Sequence, residues 1–197
     1  MIFNAQSAWP SAMVRTLLIA ALASGGAAAI AQQTLVAAQS DIAFGSKQMG
    51  ANVEGRFKKF DAQVAFDPKK PEAAKIGIAI DLGSVSLGST ETEKELVKPE
   101  WFNLKLFPQA TFISSVVRGT TAGKFEISGK LAIKGVSRDV VVPVTLTQAG
   151  GSTTAVGSFV IKRLDFKIGD GDWNDPALVA NDVHVKFKLV LSGVPNL

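Results

Sequence analysis

The stretch that decides the fold class is KFEISGKLAIKGVSRDVVVPVTL, residues 124–146. Apolar side chains occupy alternate positions in both of its halves: Phe125, Ile127, Leu131 and Ile133, and then Val140, Val142, Val144 and Leu146. Lysines and a glutamate fill most of the alternate places in the first half. This period of two is typical of strands with one buried face. The stretch therefore predicts two strands whose apolar faces enclose an interior.

The same alternation recurs along much of the remaining chain and predicts about eight strands in all. It is found at residues 42–44, 53–66, 76–87, 112–116, 159–161 and 183–191. A kink is expected at Lys58-Lys59, and turns are expected at residues 67–71 and 118–123. Eight antiparallel strands with one apolar face close into a barrel or pack as a sandwich. A barrel of that size is filled by side chains or holds a small ligand.

Small residues at inward positions leave both of these outcomes open. Gly55, Ser114, Gly129 and Gly157 interrupt the large apolar side chains of their strands. They either make room for a bound guest or mark bulges and bends that curve the sheet.

Residues 89–108, STETEKELVKPEWFNLKLFP, break the alternation. Thr90 and Glu93 have capping-box spacing, which predicts a short helix that Pro99 ends or interrupts. Five large apolar residues then crowd into one irregular connection: Trp101, Phe102, Leu104, Leu106 and Phe107.

The first 31 residues have the features of a cleaved signal peptide. LLIAALASGGAAAI follows Arg15 and ends in a small-x-small site, Ala29-Ile30-Ala31. MVRTLLIAALA, from Met13, fits a signal start better than the uncharged segment before it, so the sequence favours Met13 as the translation start. Cleavage after Ala31 would leave residues 32–197 as one exported domain. Its net charge would be +3, because Arg15 is the only charged residue removed.

Motifs for catalysis or metal binding are weak in this sequence. His184, the single histidine, lies among polar alternates and is expected to face solvent. GSVSLG does not match the nucleophile elbow, and the chain has no cysteine and no phosphate-binding loop. DGDWND, residues 170–175, starts like a calcium loop but lacks the expected glycine and glutamate, so its acids are expected to cap turns.

The lysines are spread along strands, which favours a solvated surface over nucleic-acid binding. RFKKF, residues 56–60, could also meet an anionic membrane surface.

Four segments together resemble the YceI-like family. They are IAFGSKQMGANVEGRFKKFDAQVAFDP, KPEWFNLKLFPQATFISSVV, GKLAIKGVSRDVVVPVTL and LDFKIGDGDWNDPALVANDVHVKF, which span residues 42–187. The third segment, similar to the family's G-x-L-x-I-K-G-V signature, is the most specific. The glycine that the family has after Phe166 is Lys167 here, and EKELVKPEWF stands where many members have an Arg-Asp pair followed by His-Leu.

The resemblance implies an all-β fold, a lipocalin-like antiparallel eight-stranded β-barrel with one short helical and irregular aromatic connection. It implies an exported periplasmic carrier or sink that binds a long-chain isoprenoid, an isoprenoid quinone or another lipid tail, without a cofactor. The form IGDGDWNDPALVANDV is similar to members associated with a membrane cytochrome b561-type partner. A homodimer, in which one tail passes between two barrels, is left open.

On this interpretation ten apolar residues contact the tail: Phe44, Phe57, Ile78, Ile80, Phe112, Phe125, Leu131, Ile133, Phe159 and Phe187. Trp101, Phe102 and Phe107 are predicted to form the mouth or a lid, and Trp173 to close the opposite edge. Ordinary core packing is the alternative for each residue. Two other functions remain: a packed barrel that docks a membrane partner without a ligand, and a lipid-acting enzyme.

Overall fold

The computed structural model describes residues 33–197. The predicted signal peptide, the Met13 start and the cleavage site lie outside these residues. Within residues 33–197, no helix is long and apolar enough to cross a membrane.

Eleven strands in the described residues form one antiparallel sheet. They are β1 (Thr34–Leu35), β2 (Asp41–Gln48), β3 (Ala51–Phe57), β4 (Phe60–Ala65), β5 (Lys75–Asp81), β6 (Val85–Ser86), β7 (Gln109–Thr121), β8 (Lys124–Ile133), β9 (Val136–Ala149), β10 (Ser152–Lys162) and β11 (Asp182–Ser192). One α-helix, α1, spans Thr90–Leu96. Short 3₁₀ turns lie at Ala37–Gln39, Pro71–Ala73, Leu82–Ser84, Arg163–Phe166 and Gly171–Trp173.

The sheet curls into the predicted barrel. Its strand order is β4-β5-β7-β8-β9-β10-β11-β2-β3-β6, with β1 added on β11. Because β3 and β4 are one run of chain bent at Lys58-Lys59, the order returns on itself after eight members: β2, β3 with β4, β5, β7, β8, β9, β10 and β11. The predicted kink and the count of eight are thus confirmed. The short strand β1 is an addition that the alternation did not indicate, and β6 is a separate short strand within the alternation at residues 76–87.

Tight turns set the register of the long hairpins. Lys134 and Gly135 join β8 to β9 with positive φ angles of 49° and 74°, as a two-residue type I′ turn requires. The register then runs from Ile133 opposite Val136 to Lys124 opposite Thr145. At the β7–β8 hairpin, the predicted turn at 118–123 is too long, because β7 continues to Thr121.

The inward faces are the predicted ones. Phe125, Leu131 and Ile133 are buried and Ile127 is half-buried, while Lys124, Glu126 and Lys130 are exposed. The same holds for the inward set of β9, from Val140 to Leu146. The barrel interior is therefore apolar along its length.

Three inward glycines each lie beneath a phenylalanine ring of the neighbouring strand. A Cβ built on Gly55, Gly129 or Gly157 would lie 2.5 Å from the Cζ atom of Phe44, Phe112 or Phe187, respectively. Gly55 is directly opposite Phe44, and Gly157 is directly opposite Phe187. The space left by the missing side chains is therefore taken by aromatic rings that lie against the sheet, which neither interpretation of these glycines anticipated. Ser114, the fourth small residue, borders a register shift in β7 and accepts a hydrogen bond from the Ile76 amide (2.9 Å).

The helix cap differs from the predicted capping box. Ser89, not Thr90, is the N-cap, and its hydroxyl accepts a hydrogen bond from the Thr92 amide. The carboxylate of Glu93 accepts instead from the amides of Leu87 (2.8 Å) and Gly88 (3.2 Å). Glu93 therefore ties the helix to the segment that follows β6.

We expect Gly129→Ala to destabilise the barrel by about 1–3 kcal/mol, as overpacking in a core does. The new Cβ would meet the Phe112 ring and, also at 2.5 Å, the backbone oxygen of Ile113, and the backbone cannot move aside easily. Urea denaturation measures the loss. Gly77→Ala in β5 is the matched control, because nothing lies within 4 Å of a Cβ there. Equal stability of the two variants would contradict the packing argument.

Candidate functional site

The upper half of the barrel interior contains a cavity of about 390 Å³, here called the upper cavity. Most of its lining is apolar: Ile42, Phe44, Val53, Phe57, Ile80, Leu82, Leu87, Leu96, Trp101, Phe102, Ala110, Leu131, Ile133, Phe159, Ile161, Ile168, Trp173, Val179, Val183 and Val185. Three of the rings form a continuous wall, with centroid distances of 5.4 Å from Phe44 to Phe57 and 6.3 Å from Phe57 to Phe102.

A second, smaller space of about 140 Å³ lies deeper in the barrel and is here called the lower cavity. All of its lining residues are apolar, and they include Phe66, Phe112, Phe125 and Phe187. Five residues line both cavities: Ile42, Ile80, Leu131, Phe159 and Val185. The two spaces therefore adjoin and form one apolar interior along the barrel.

The lower end of the interior is packed. The rings of Phe66 and Phe125 meet edge to face with centroids 5.1 Å apart. The side-chain amide of Gln33 donates to the Phe66 carbonyl (2.6 Å) and accepts from the Phe66 amide (3.0 Å). The first described residue is thus bonded across the base of the barrel.

The polar residues that line the upper cavity mark its mouth. Ser46, Lys47 and Gln48 come from the end of β2, and Glu91, Thr92 and Glu95 come from one face of α1. Residues 90–108, here called the lid, continue from α1 through turns whose amides bond to nearby carbonyls, such as Phe102 to Leu96 (3.0 Å).

Thirteen of the fourteen residues predicted to contact a ligand line one or both cavities. Phe44, Phe57, Trp101, Phe102, Ile133 and Trp173 line the upper cavity; Ile78, Phe112, Phe125 and Phe187 line the lower cavity; and Ile80, Leu131 and Phe159 line both. Their contact with a ligand stays a prediction.

Two predicted positions are different in the structure. Phe107 lines neither cavity and lies against the hairpin turn at Gly135, where a Cβ would be 2.7 Å from its ring. Trp173 is not at the edge opposite the lid, because its ring centroid is 5.7 Å from that of Trp101. The loop after β10 folds back over the mouth, which the spacing in the sequence does not reveal.

Arg163, at the end of β10, organises that loop. Its side chain is only 2% exposed. Its guanidinium donates to five backbone carbonyl oxygens at 2.6–3.3 Å, those of Ile168, Gly169, Trp173, Val179 and Ala180. Burial lowers the pKa of Arg163, and the charge of Asp170 acts in the opposite direction. The group stays charged, so the carbonyl dipoles stabilise a buried cation. Gly169 passes so close to Nη1 that a Cβ there would clash.

Lys134 makes a second buried cationic contact at the same end of the barrel. Its side chain is 8% exposed. The ammonium donates to the carbonyls of Glu100 (3.0 Å) and Lys167 and to the carboxylate of Asp170 (3.2 Å). It therefore joins the β8–β9 turn, the lid and the loop after β10.

Lys167 stands where the YceI-like family has a glycine, and this difference has a structural consequence. Lys167 has a φ of 56°, in the left-handed region. Glycine adopts this conformation without steric cost, whereas a residue with a Cβ does not. The glycine expected at this position fits the turn that brings Ile168 and Gly169 onto Arg163.

The other chemical candidates lie outside the interior. His184 is exposed, as predicted, and so are Arg56, Lys58 and Lys59 of RFKKF, whose Phe57 points inward. In DGDWND, Asp175 caps a turn by accepting from the Ala177 amide (2.8 Å). Within residues 33–197, no group of three or more His, Asp or Glu side chains is placed to hold a metal ion.

The YceI-like domain family matches residues 33–191, almost the whole of the described chain. This chain belongs to that family. The lipocalin-like barrel predicted from the four segments is confirmed with it. The crystal structure of Burkholderia cenocepacia BcnA is similar, with a TM-score of 0.77 and 42% sequence identity over 79% of this chain and 98% of BcnA. A UPF0312 protein of Shewanella baltica (strain OS185) is 28% identical over 193 residues, 93% of this chain and 96% of the relative.

A more distant structure shares the fold of this YceI-like domain. It is a polyisoprenoid binding domain from Saccharophagus degradans implicated in plant cell wall breakdown. Its TM-score is 0.67 and its identity 18%, over 83% of this chain and 99% of that domain.

Sequence reasoning did not select Arg163 or Lys134, and it singled out Glu93 only for its capping-box spacing with Thr90. Arg163 opens the R-x-D-F-x-I-G form of the last family segment, RLDFKIG, and that signal could have identified it. Lys134 gave no comparable signal, because its partners lie more than thirty residues away in the chain.

We expect Arg163→Met to lower the free energy of unfolding by about 3 kcal/mol or more, since several buried carbonyls lose their donor together. Chemical denaturation measures this loss, and limited proteolysis should show new cleavage between residues 168 and 180. Arg138→Met is the control: Arg138 is exposed, so its loss should cost no more than about 0.5 kcal/mol. Equal stability of the two variants would refute the role of Arg163.

We also expect acid to weaken the attachment of the lid through Glu93. The hydrogen bond from the Leu87 amide, more than any other contact, lowers the pKa of Glu93 from 4.5. A lowered pKa in the folded state stabilises the fold above the unfolded value, and this contribution is lost as the pH falls through the folded value. Glu93→Gln should therefore lower Tm at neutral pH, and the difference from wild type should shrink as the pH falls below 4.5 and vanish below the lowered pKa of the folded state.

Glu91→Gln is the control for this measurement, since Glu91 lies on the same helix and has no such bond to Leu87 or Gly88. A Tm difference for Glu93→Gln that stays constant with pH would show that the Glu93 charge does not hold the lid.

Proposed function

We propose that this protein binds the tail of a long-chain isoprenoid, an isoprenoid quinone or another lipid inside its barrel, and that it acts as an exported soluble carrier or sink. The observation that carries the proposal is the apolar interior formed by the upper and lower cavities, which share five lining residues. An interior that is apolar for its whole length, with polar groups at one mouth, suits a long apolar chain with one polar end.

The energetics of burial support a lipid tail. Each CH₂ group removed from water contributes roughly 0.8 kcal/mol. A five-carbon isoprene unit therefore contributes about 3–4 kcal/mol. A tail of several units has a large driving force even after the cost of ordering it. The upper cavity alone, at about 390 Å³, falls within the range of known small-molecule sites.

The fold relationship supports the same ligand class. The Saccharophagus degradans domain is a polyisoprenoid binding domain, and this chain has its fold. We carry that ligand class over as part of the proposal, together with binding rather than catalysis as the activity. A packed barrel that docks a membrane partner without a ligand is the alternative outcome of the experiment below.

The proposal includes three features that come from the sequence. The signal-like segment at residues 1–31 supports export to the periplasm. The segment IGDGDWNDPALVANDV is similar to that of family members associated with a membrane cytochrome b561-type protein, and this similarity supports such a partner. A tail too long for one interior would favour a homodimer, and the mass of the intact lipid-loaded protein measures this directly.

Protein purified from its own periplasm without detergent should carry a long-chain lipid, identified by mass spectrometry of an organic extract. Val185→Phe should reduce the bound amount at least about tenfold, because Val185 lies where the two cavities adjoin. A ring there keeps two or more CH₂ groups out of the lower cavity, at about 0.8 kcal/mol each. Binding of the long polyprenol solanesol should fall more than binding of the short one, farnesol.

Val156→Phe is the matched control, because Val156 is 40% exposed on the outer face of the barrel. Thermal denaturation verifies that both variants are folded. Folded wild-type protein that carries no lipid and binds neither polyprenol would refute the proposal and favour a packed barrel that docks a membrane partner without a ligand. Undiminished solanesol binding by Val185→Phe would show that the tail does not enter the lower cavity.

A further inference from the structure

We propose that the outer face of β11, β2 and β3 docks on an anionic phospholipid bilayer, with Met49 at the tip of the β2–β3 hairpin inserted among the lipids. This inference goes beyond the proposed function, because it names the surface through which the barrel meets a membrane. Vesicle binding tests it separately from ligand binding.

Positive charge is concentrated on this side of the barrel, here called the basic face. Its six cations, all of them exposed, are Lys47, Arg56, Lys58, Lys59, Lys186 and Lys188. Three acids lie among them: Asp41, Glu54 and Asp182. The basic face therefore has a net charge of +3, whereas the remaining charged residues of 33–197, 14 of each sign, cancel.

The cations of the basic face are available to an external anion. The four ion pairs within residues 33–197 involve none of them, and the carboxylate of Asp182 is paired with Lys162 at 2.7 Å. The strand register places Ala43 opposite both Lys186 and Arg56. A short side chain thus lies between two long cationic ones, whose Cα atoms are two strand spacings or about 10 Å apart. Flexible side chains at that separation can converge on one phosphate group.

A groove of about 920 Å³ follows the basic face towards the mouth. Four of the six cations line it, together with the small residues Ala43 and Gly45. Ser46 and Lys47 line both this groove and the upper cavity. The face that attracts an anionic surface is therefore continuous with the opening of the apolar interior.

Met49 is an independent observation at the same end of the face. It is 71% exposed, more than any other large apolar residue of 33–197. With φ angles of 48° and 82°, Met49 and Gly50 form a two-residue type I′ turn between β2 and β3. This turn favours Asn-Gly, so methionine here stabilises neither the turn nor the core.

Leu178 adds a second exposed apolar side chain beside Met49. It is 39% exposed, and its carbonyl accepts a hydrogen bond from the Met49 amide at 2.8 Å. Stable attachment to a bilayer interface combines apolar insertion with attraction of cations to anionic lipids. The basic face and the Met49 tip supply these two contributions next to the mouth, and this combination favours a membrane over an acidic protein as the partner.

The experiment measures binding to vesicles of phosphatidylcholine and of phosphatidylcholine mixed with phosphatidylglycerol. Wild type should bind the mixed vesicles, more weakly as salt is added, and should not bind phosphatidylcholine alone. The double variant Arg56→Gln, Lys186→Gln should bind the mixed vesicles about 30-fold more weakly, since each cation near an anionic surface contributes a factor of about five.

The double variant Lys69→Gln, Lys70→Gln is the matched control. It removes the same charge from two exposed lysines in the turn between β4 and β5, at the base of the barrel. Its affinity for the mixed vesicles should equal that of wild type. Thermal denaturation verifies that both double variants are folded.

Met49→Asn separates membrane insertion from a structural role. It should weaken vesicle binding by about three- to tenfold, because the apolar side chain is lost. Its Tm should equal or exceed that of wild type, because Asn-Gly suits the turn better.

The orientation is measured with a polarity-sensitive dye on a single introduced cysteine, since the chain has none of its own. Ala51→Cys and Ala149→Cys are a matched pair: each alanine is exposed and flanks a two-residue hairpin turn, at opposite ends of the barrel. The dye at residue 51 should shift to the blue with mixed vesicles, and the dye at residue 149 should not.

Equal binding to both kinds of vesicle, equal loss in the two double variants, or a dye shift at residue 149 alone would each overturn the docking face. Absence of binding to mixed vesicles would also overturn it and would favour an acidic protein as the partner. Solanesol binding should be unchanged in Arg56→Gln, Lys186→Gln, because both residues are on the outer face. Wild type that binds mixed vesicles but not solanesol would retain the docking face and remove the proposed function instead.

Discussion

The cavities inside this barrel depend on the contact between a phenylalanine ring and a glycine on the next strand. The contact occurs three times, at Phe44 over Gly55, Phe112 over Gly129 and Phe187 over Gly157. Because no Cβ occupies the glycine position, each ring lies against the sheet and leaves the centre free. Any larger residue at the glycine would push the ring inward and fill the cavity. The same contact thus packs apolar rings against the inner face of the sheet and leaves an interior that can hold a ligand.

The mouth depends on a different interaction, in which buried cationic side chains are stabilised by backbone carbonyl groups. Arg163 and Lys134 together contact seven different backbone carbonyls and one carboxylate. Carbonyls in loops would otherwise need water, so two buried cations allow irregular backbone to close over an apolar space. The consequence is an end wall with fixed loops and saturated donors, in which Trp101 Nε1 alone among buried side-chain polar atoms of residues 33–197 remains unpaired.

The sequence predicted the barrel and its inner face because both follow from local period-two alternation. Thirteen of the fourteen residues that it predicted to contact a ligand line the cavities, and for those on strands the inward direction follows from the alternation within a single strand. It could not predict which ring lies over which glycine, because cross-strand register is set by tertiary structure. The position assigned to Trp173 was wrong, and Arg163 was missed, because both depend on the path of the loop after β10.

The pairing of β1 with the end of β11, Thr34 opposite Ser192, has a consequence for how this domain can be attached to something else. Both ends of the barrel segment leave at the base, beside the hairpin turns between β7 and β8 and between β9 and β10, while the mouth lies at the far end of the strands. A tether, a fused domain or an immobilising surface joined through either end would therefore hold the barrel by its base. The opening would stay unobstructed and directed away from the point of attachment.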